Sequence, residues 1–170
     1  MFLGWALALS GDSDQGVAHL EQGLCALNKI GARGHVTHYL CFMAEGYLSA
    51  RRFADGLGQV TQALDLAAEI EEHWYVPRLH QVRAELLLHL HGPQEKAVEA
   101  CLRQAILVAR QLGAKGWELP TTVRLARLWL DSGRRREGRE LLAPIYGWFT
   151  EGFDTPDLRE AKALLEALDA

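Results

Sequence analysis

Histidines, cysteines and a few arginines are the residues best suited to chemistry in this 170-residue sequence. His35, His38 and Cys41 recur every three residues, a spacing that keeps metal-type ligands near one face of a helix. Drift over six residues spoils their convergence and no fourth ligand follows, so ordinary helix residues beside a turn are the better reading. His89 and His91 point to different sides of a helix, and His89 falls on a large packing position. No GxSxG, HExxH or nucleophile–base arrangement occurs. Gly31-Ala32-Arg33-Gly34 is a helix stop and turn, not a phosphate cradle, because no strand precedes it. No catalysis, metal or cofactor is expected.

The elements that position these residues follow from composition and repetition. The chain is 49% hydrophobic and 24% charged, too apolar for disorder, and its Ala/Leu/Glu/Arg runs with only five prolines favour helix throughout. A net charge of −4 gives no long-range attraction for nucleic acid or an anionic membrane. The densest basic run, Arg134-Arg135-Arg136, sits in an expected turn beside Glu137 and Glu140. Cys25, Cys41 and Cys101 are scattered, which suits small buried thiols in a reducing compartment. No apolar run approaches the roughly 20 residues of a membrane span, and the start lacks a basic leader, so cytoplasm is the expected location.

Self-similarity is the strongest signal. Gly16, Gly56, Val98 and Gly138 open matching segments 40, 42 and 40 residues apart. Twelve residues earlier lie Gly4, Ala44, Leu86 and Ala126, mostly small, and three residues after those Leu7, Tyr47, His89 and Trp129, mostly large. Breakers fall between, at Gly11, Arg51, Gly92-Pro93 and Gly133. Two antiparallel helices approach closely only where a small side chain faces a bulky one, here Leu20, Val60, Leu102 and Leu142 on the second helix. The expected fold is all-α: a tetratricopeptide-like α-solenoid with a period of about 40 rather than 34 residues.

One domain is expected over 1–170, with repeats near 1–31, 35–71, 75–113 and 117–151 and a capping helix at 155–168. The helices are placed at about 2–10, 14–30, 36–50, 53–71, 75–91, 94–112, 117–132, 135–150 and 156–168. Thr155 as N-cap and Pro156 at the first helical position start the cap, whose inward stripe is Leu158, Ala161, Leu164, Leu165 and Leu168. Tyr146, Trp148, Phe149 and Phe153 are expected to pack that cap on the last repeat, and Glu71-Glu72 to be solvated. At the other end Phe2, Leu3, Trp5 and Leu9 crowd an uncapped first helix. The expectation there is a longer solenoid upstream, with self-association of the isolated piece.

In such stacks the first helix of each pair lines the inner face. That places His38, Glu45, His80, Arg83, Leu87 and Arg127 in a groove, with a cationic streak beside one acid. Arginines so placed suit a carboxylate or an acidic peptide, and a merely hydrophilic inner wall remains the other reading. The partner is expected to be a protein or peptide, with a small anionic ligand as the alternative.

Three stretches carry a family resemblance: Leu3-Gly-Trp-Ala-Leu-Ala-Leu-Ser-Gly-Asp12, Ala114-Lys-Gly-Trp-Glu-Leu119 with Leu125-Ala-Arg-Leu-Trp129, and Tyr146 to Leu158. Over nearly the whole chain the pattern resembles the tetratricopeptide tail of large bacterial signalling proteins that carry an upstream cyclase or DNA-binding domain and a signal-transduction ATPase. The resemblance implies a sensor or docking arm. The chain has no GxxxxGK[ST] loop and no cyclase metal carboxylates, so neither activity carries over. It departs from that family at Pro120, whose effect is expected to stay within a first helical turn.

Overall fold

A computed structural model describes residues 1–31, 35–92 and 96–169. Its described residues form nine α-helices: α1 Phe2–Leu9, α2 Ser13–Lys29, α3 Val36–Ser49, α4 Phe53–Glu69, α5 Val76–His91, α6 Lys96–Gln111, α7 Lys115–Asp131, α8 Arg135–Tyr146 and α9 Pro156–Asp169. Two compact units divide the chain, Met1–Val98 and Glu99–Ala170.

In the first unit α1 packs on α2 and α3, and α3 packs on α4 and α5. The small positions do what their spacing requires. A Cβ on Gly4 would lie 2.8 Å from the Gly16 carbonyl oxygen, one on Gly16 would lie 2.7 Å from Ala8 Cα, and one on Gly56 would lie 2.7 Å from Leu86 Cδ2. Leu20 and Val60, the bulky inserts four residues on, are fully buried. Backbone contact at this range is open only to glycine.

The second unit repeats the logic. A Cβ on Gly138 would lie 3.2 Å from the Ala126 carbonyl oxygen and 3.0 Å from Leu168 Cδ2. Leu119, Val123, Ala126, Leu142 and Ile145 form one core with Leu158, Ala161, Leu164 and Leu168 of α9, with Leu165, Tyr146 and Phe149 packed against it. Trp148 is 58% exposed, while Phe153, 46% exposed, leans on Tyr146 at 5.8 Å. Thr155 donates its hydroxyl to the Gly152 carbonyl at 2.7 Å, while its own carbonyl accepts from Arg159 at 3.0 Å.

The described breakers between paired helices all have positive φ, 106° at Gly11, 59° at Arg51, 83° at Gly92 and 78° at Gly133, with Gly92 extended at a ψ of 178°. Such a residue lets the backbone leave a helix while satisfying its last carbonyls. Arg52 N–H to the Tyr47 carbonyl (2.8 Å) and Arg134 N–H to the Trp129 carbonyl (2.7 Å) close two of these turns. The basic run is compensated. Arg134 pairs with Glu99 (2.7 Å) and Glu137 (2.6 Å) and lies 4.5 Å over the Trp129 ring, Arg136 pairs with Glu140 (2.7 Å), and Arg135 donates to the Ala167 carbonyl.

Five local expectations need correction. Helix α7 begins at Lys115, two residues early, which carries Pro120 past the first turn expected for it, yet the helix runs on to Asp131. Helix α8 stops at Tyr146 instead of 150, because Trp148 and Phe149 turn back on the Ile145 and Tyr146 carbonyls. Cys25 is exposed, on an open cleft that it lines with Met43, Tyr47 and Gln59. His89 is exposed and stacks on Phe53 at 4.9 Å instead of filling a packing hole. Glu72 is half-buried, drawn in by hydrogen bonds from Thr37 and Trp74. Residues 32–34 of the Gly31–Gly34 turn, and Pro93, lie outside the described residues.

Candidate functional site

The densest assembly of chemically distinctive side chains lies in the first unit. Helix α3 places His38, Phe42 and Glu45 at intervals of four and three, hence on one face. Helix α1 brings Phe2 and Trp5 to that face, and the lead-in and first turns of α5 bring Trp74, Tyr75 and Arg78. His38 is the hub. Its ring centre lies 4.2 Å from Phe42, 4.4 Å from Tyr75, 5.4 Å from Trp74, 5.6 Å from Tyr39 and 6.1 Å from Phe2. Burial lowers the His38 pKa, with a smaller push from His35, so the imidazole is neutral near pH 7 and packs as an aromatic ring.

Beneath the rings a polar network fixes their positions. The buried Glu45 carboxylate accepts from the Trp5 indole N–H through Oε2 and from Arg78 Nε through Oε1 at 2.6 Å. Arg78 Nη2 also lies 2.6 Å from Oε1, and Nη1 donates to Gln81 at 3.0 Å with Glu85 at 3.8 Å. Trp5 stacks on Phe42 at 4.7 Å. A buried carboxylate persists only with such partners. The adjacent Cys41 thiol is pushed well up by burial and by Glu45, which leaves it unreactive.

Glu72 borders the same cluster. Its Oε2 accepts from the Thr37 hydroxyl and its Oε1 from the Trp74 indole at 3.0 Å, with His35 Nδ1 at 3.8 Å. His35 takes a left-handed φ of 60° at the start of α3 and shares the Trp74 ring with His38, while Cys41 is fully buried. Among the described residues no group of three or more His, Cys, Asp or Glu side chains is placed to hold a metal ion.

The sequence-derived groove residues divide. His38 and Glu45 belong to the cluster. His80, Arg83 and Leu87 are half-buried further along α5. Burial, with Arg83 beside it, lowers the His80 pKa to about 4, so His80 adds no positive charge near neutrality. Arg127 belongs to the second unit, where it is exposed and pairs with Glu160 at 3.2 Å. Of the N-terminal residues, Phe2, Leu3 and Leu9 are exposed, but Trp5 is engaged with Phe42 and Glu45. Arg78, Trp74 and Tyr75 were missed in the sequence. Their signal was the aromatic pair preceding α5, followed by an arginine one helical turn beyond Trp74.

A second feature lies wholly in the second unit. Buried Glu118 holds Arg110 Nε (2.6 Å) and Lys115 Nζ (2.7 Å) at the edge of an open cleft of about 440 Å³ lined also by Glu140, Leu141, Pro144, Ile145 and Trp148. Burial alone would raise the Glu118 carboxyl, but the two hydrogen bonds outweigh it and hold the pKa below its ordinary value. Arg110 uses only its Nε on Glu118, so its Nη groups face no acceptor among the hydrogen bonds of the described residues.

No family model matches the chain. An uncharacterized protein of Rhizobium meliloti (strain 1021) is 31% identical over 114 residues, which is 67% of this chain and 11% of that relative's length. Among solved structures, the nearly identical TPR-like repeats of a putative kinesin light chain from Podosopora anserina match 98% of this chain and 90% of theirs at 18% identity, with a TM-score of 0.70. A variant of the same repeats matches with a TM-score of 0.75, again at 18% identity, over 98% of this chain and 82% of that one. The fold is a tetratricopeptide-like helical repeat. At 18% identity the likeness fixes the fold alone, and the site rests on its own geometry. Among the described residues no helix is long and apolar enough to cross a membrane.

Proposed function

We propose that this chain is a non-catalytic interaction module that binds a protein segment on the face shared by α1, α3 and α5 of its first unit. The observation that carries this reading is the convergence of rings from α1, α3 and the α4–α5 connection on His38, with Phe2 61% and Trp74 43% exposed above a buried Glu45–Arg78 pair. Exposed aromatics held rigid from below are what binding hot spots require. His80, Arg83 and Leu87 extend the proposed face along α5. The parent context that fits best is a long bacterial signalling regulator in the cytoplasm. It is supported by the motif resemblance and by a bacterial relative of which the matched segment is a small part.

The test is a selection of peptides displayed against the folded chain, followed by titration of the winners. Replacing His38 and Trp74 together by Ala should weaken them by about a hundredfold while helicity is kept. Winners that bind the double variant unchanged would contradict the reading.

A small anionic ligand is the second reading, and the Arg110–Lys115–Trp148 cleft favours it. A thermal-shift screen of acidic metabolites should then show stabilisation that Arg110→Gln removes; no stabilisation counts against it. Self-association is proposed to run through Phe2, Leu3 and Leu9, and sedimentation of Leu3→Glu against wild type tests it.

A further inference from the structure

We infer that the segment bound on the aromatic face of the first unit is basic, and that it sets a Lys or Arg side chain against the Trp74 ring and the Glu72 carboxylate. This inference rests on the binding face proposed above and adds the chemistry of its occupant.

Three observations carry it. Glu72 is held with its side chain 15% exposed by two neutral donors, Thr37 and Trp74. Among the described residues no Lys or Arg pairs with it; its neighbour is His35, at 3.8 Å. Two acceptor oxygens fixed by neutral donors keep lone pairs for a cation, and such a carboxylate gains from one. Beside it the Trp74 ring is 43% exposed and meets His38 at 5.4 Å and His35 at 6.0 Å in T-shaped contacts, so a cation drawn to Glu72 has an indole within reach. Phe2 reaches His38 from α1, so an apolar residue flanking the cation has a ring to rest on.

The charge distribution agrees. Met1–Val98 holds seven Lys and Arg against eleven Asp and Glu, whereas Glu99–Ala170 holds eleven of each. The whole net charge of −4 therefore belongs to the unit that carries the aromatic face. Within the cluster Arg78 is spent on Glu45 and His38 is neutral, so the cluster offers an incoming anion no unpaired cation. At the cluster itself this favours a basic segment over the acidic one expected from the sequence.

The experiment is fluorescence anisotropy on the full chain at about 0.15 M salt, where surface charge alone is largely screened beyond about 8 Å. The probes are three labelled short peptides alternating Leu with Arg, with Gln and with Glu. The Arg probe should bind at least about tenfold tighter than the other two. Glu72→Gln should weaken it about tenfold and Trp74→Leu about fivefold. Asp65→Asn, which removes the same charge from an exposed site on α4, should change it less than about twofold. Thr37→Val strips the structural hydrogen bond to Glu72 but keeps the carboxylate, so retained binding there separates recognition from folding. Equal losses in Glu72→Gln and Asp65→Asn would overturn the inference as unspecific attraction. Preference for the Glu probe would overturn it while leaving the binding face standing. Binding of none of the three would overturn the inference, and unchanged binding of display-selected peptides to the His38/Trp74 double variant would separately sink the face itself.

Discussion

At the residue scale, the Glu45–Arg78 pair decides whether the aromatic face keeps its shape. Glu45 is almost fully buried and Arg78 three-quarters so, and removing one partner strands the other. Arg78→Met should lower unfolding free energy by about 3 kcal/mol, and the Glu45→Met/Arg78→Met double variant should recover most of it, read by urea denaturation. A single-variant loss under about 0.5 kcal/mol would place the pair in high dielectric. His80 gives a pH signature. Its folded pKa of about 4 lies below its ordinary 6.5, so between these values the unfolded chain binds more protons than the folded one. Its contribution to stability is present above pH 6.5 and is lost as pH falls toward 4. His80→Gln should flatten the stability profile over that window, which thermal melts in a pH series check.

Residues of this kind were the least legible part of the sequence. The sequence marks Glu45 only as the one acid beside a cationic streak, because its two partners stand 33 and 40 residues away and nothing local marks them. Glu72 looked like a solvated helix end, and only the fold brings Thr37 and Trp74 to it. Polar pairing across helices depends on rotamers and on which turns meet, and periodicity encodes neither. Leu20, Val60 and Leu142 were legible for the opposite reason: burial at a repeated offset is what hydrophobic patterning records.

At the element scale the glycines set how closely paired helices approach. A Cβ on Gly16 would lie 2.7 Å from Ala8 Cα, whereas one on Gly58, also inside a helix, would meet open space. Gly16→Ala should therefore cost about 3 kcal/mol, because the clash is with backbone that cannot rotate away. Gly58→Ala should stabilise by up to about 1 kcal/mol through helix propensity. Chemical denaturation of the two variants checks the opposite signs, and like signs would refute the close-approach reading. Helix boundaries were legible to within four residues, most plainly where a breaker takes positive φ, as at Gly11, Arg51 and Gly133. Two boundaries differ from their expected places: α7 starts two residues early, at Lys115, and α8 ends at Tyr146, where the Trp148 and Phe149 amides turn back on the Ile145 and Tyr146 carbonyls.

At the scale of the whole molecule, repetition supplies two compact units with different surfaces. The first carries all seven histidines, the aromatic cluster and the net negative charge. The second is neutral, is stapled by Arg134 across Glu99 and Trp129, and is sealed by α9. Function in such a fold is expected on a face, and the face with rings held over a buried ion pair is the one proposed to take a partner. The most direct test is amide and indole chemical-shift mapping on the full chain with a display-selected peptide. The Trp5 and Trp74 indole signals and the amides of His38 and Tyr39 should shift in saturable fashion, while those of Trp129 and Trp148 stay fixed. Shifts centred on Trp148 and Lys115, or none at the His38 cluster, would contradict it.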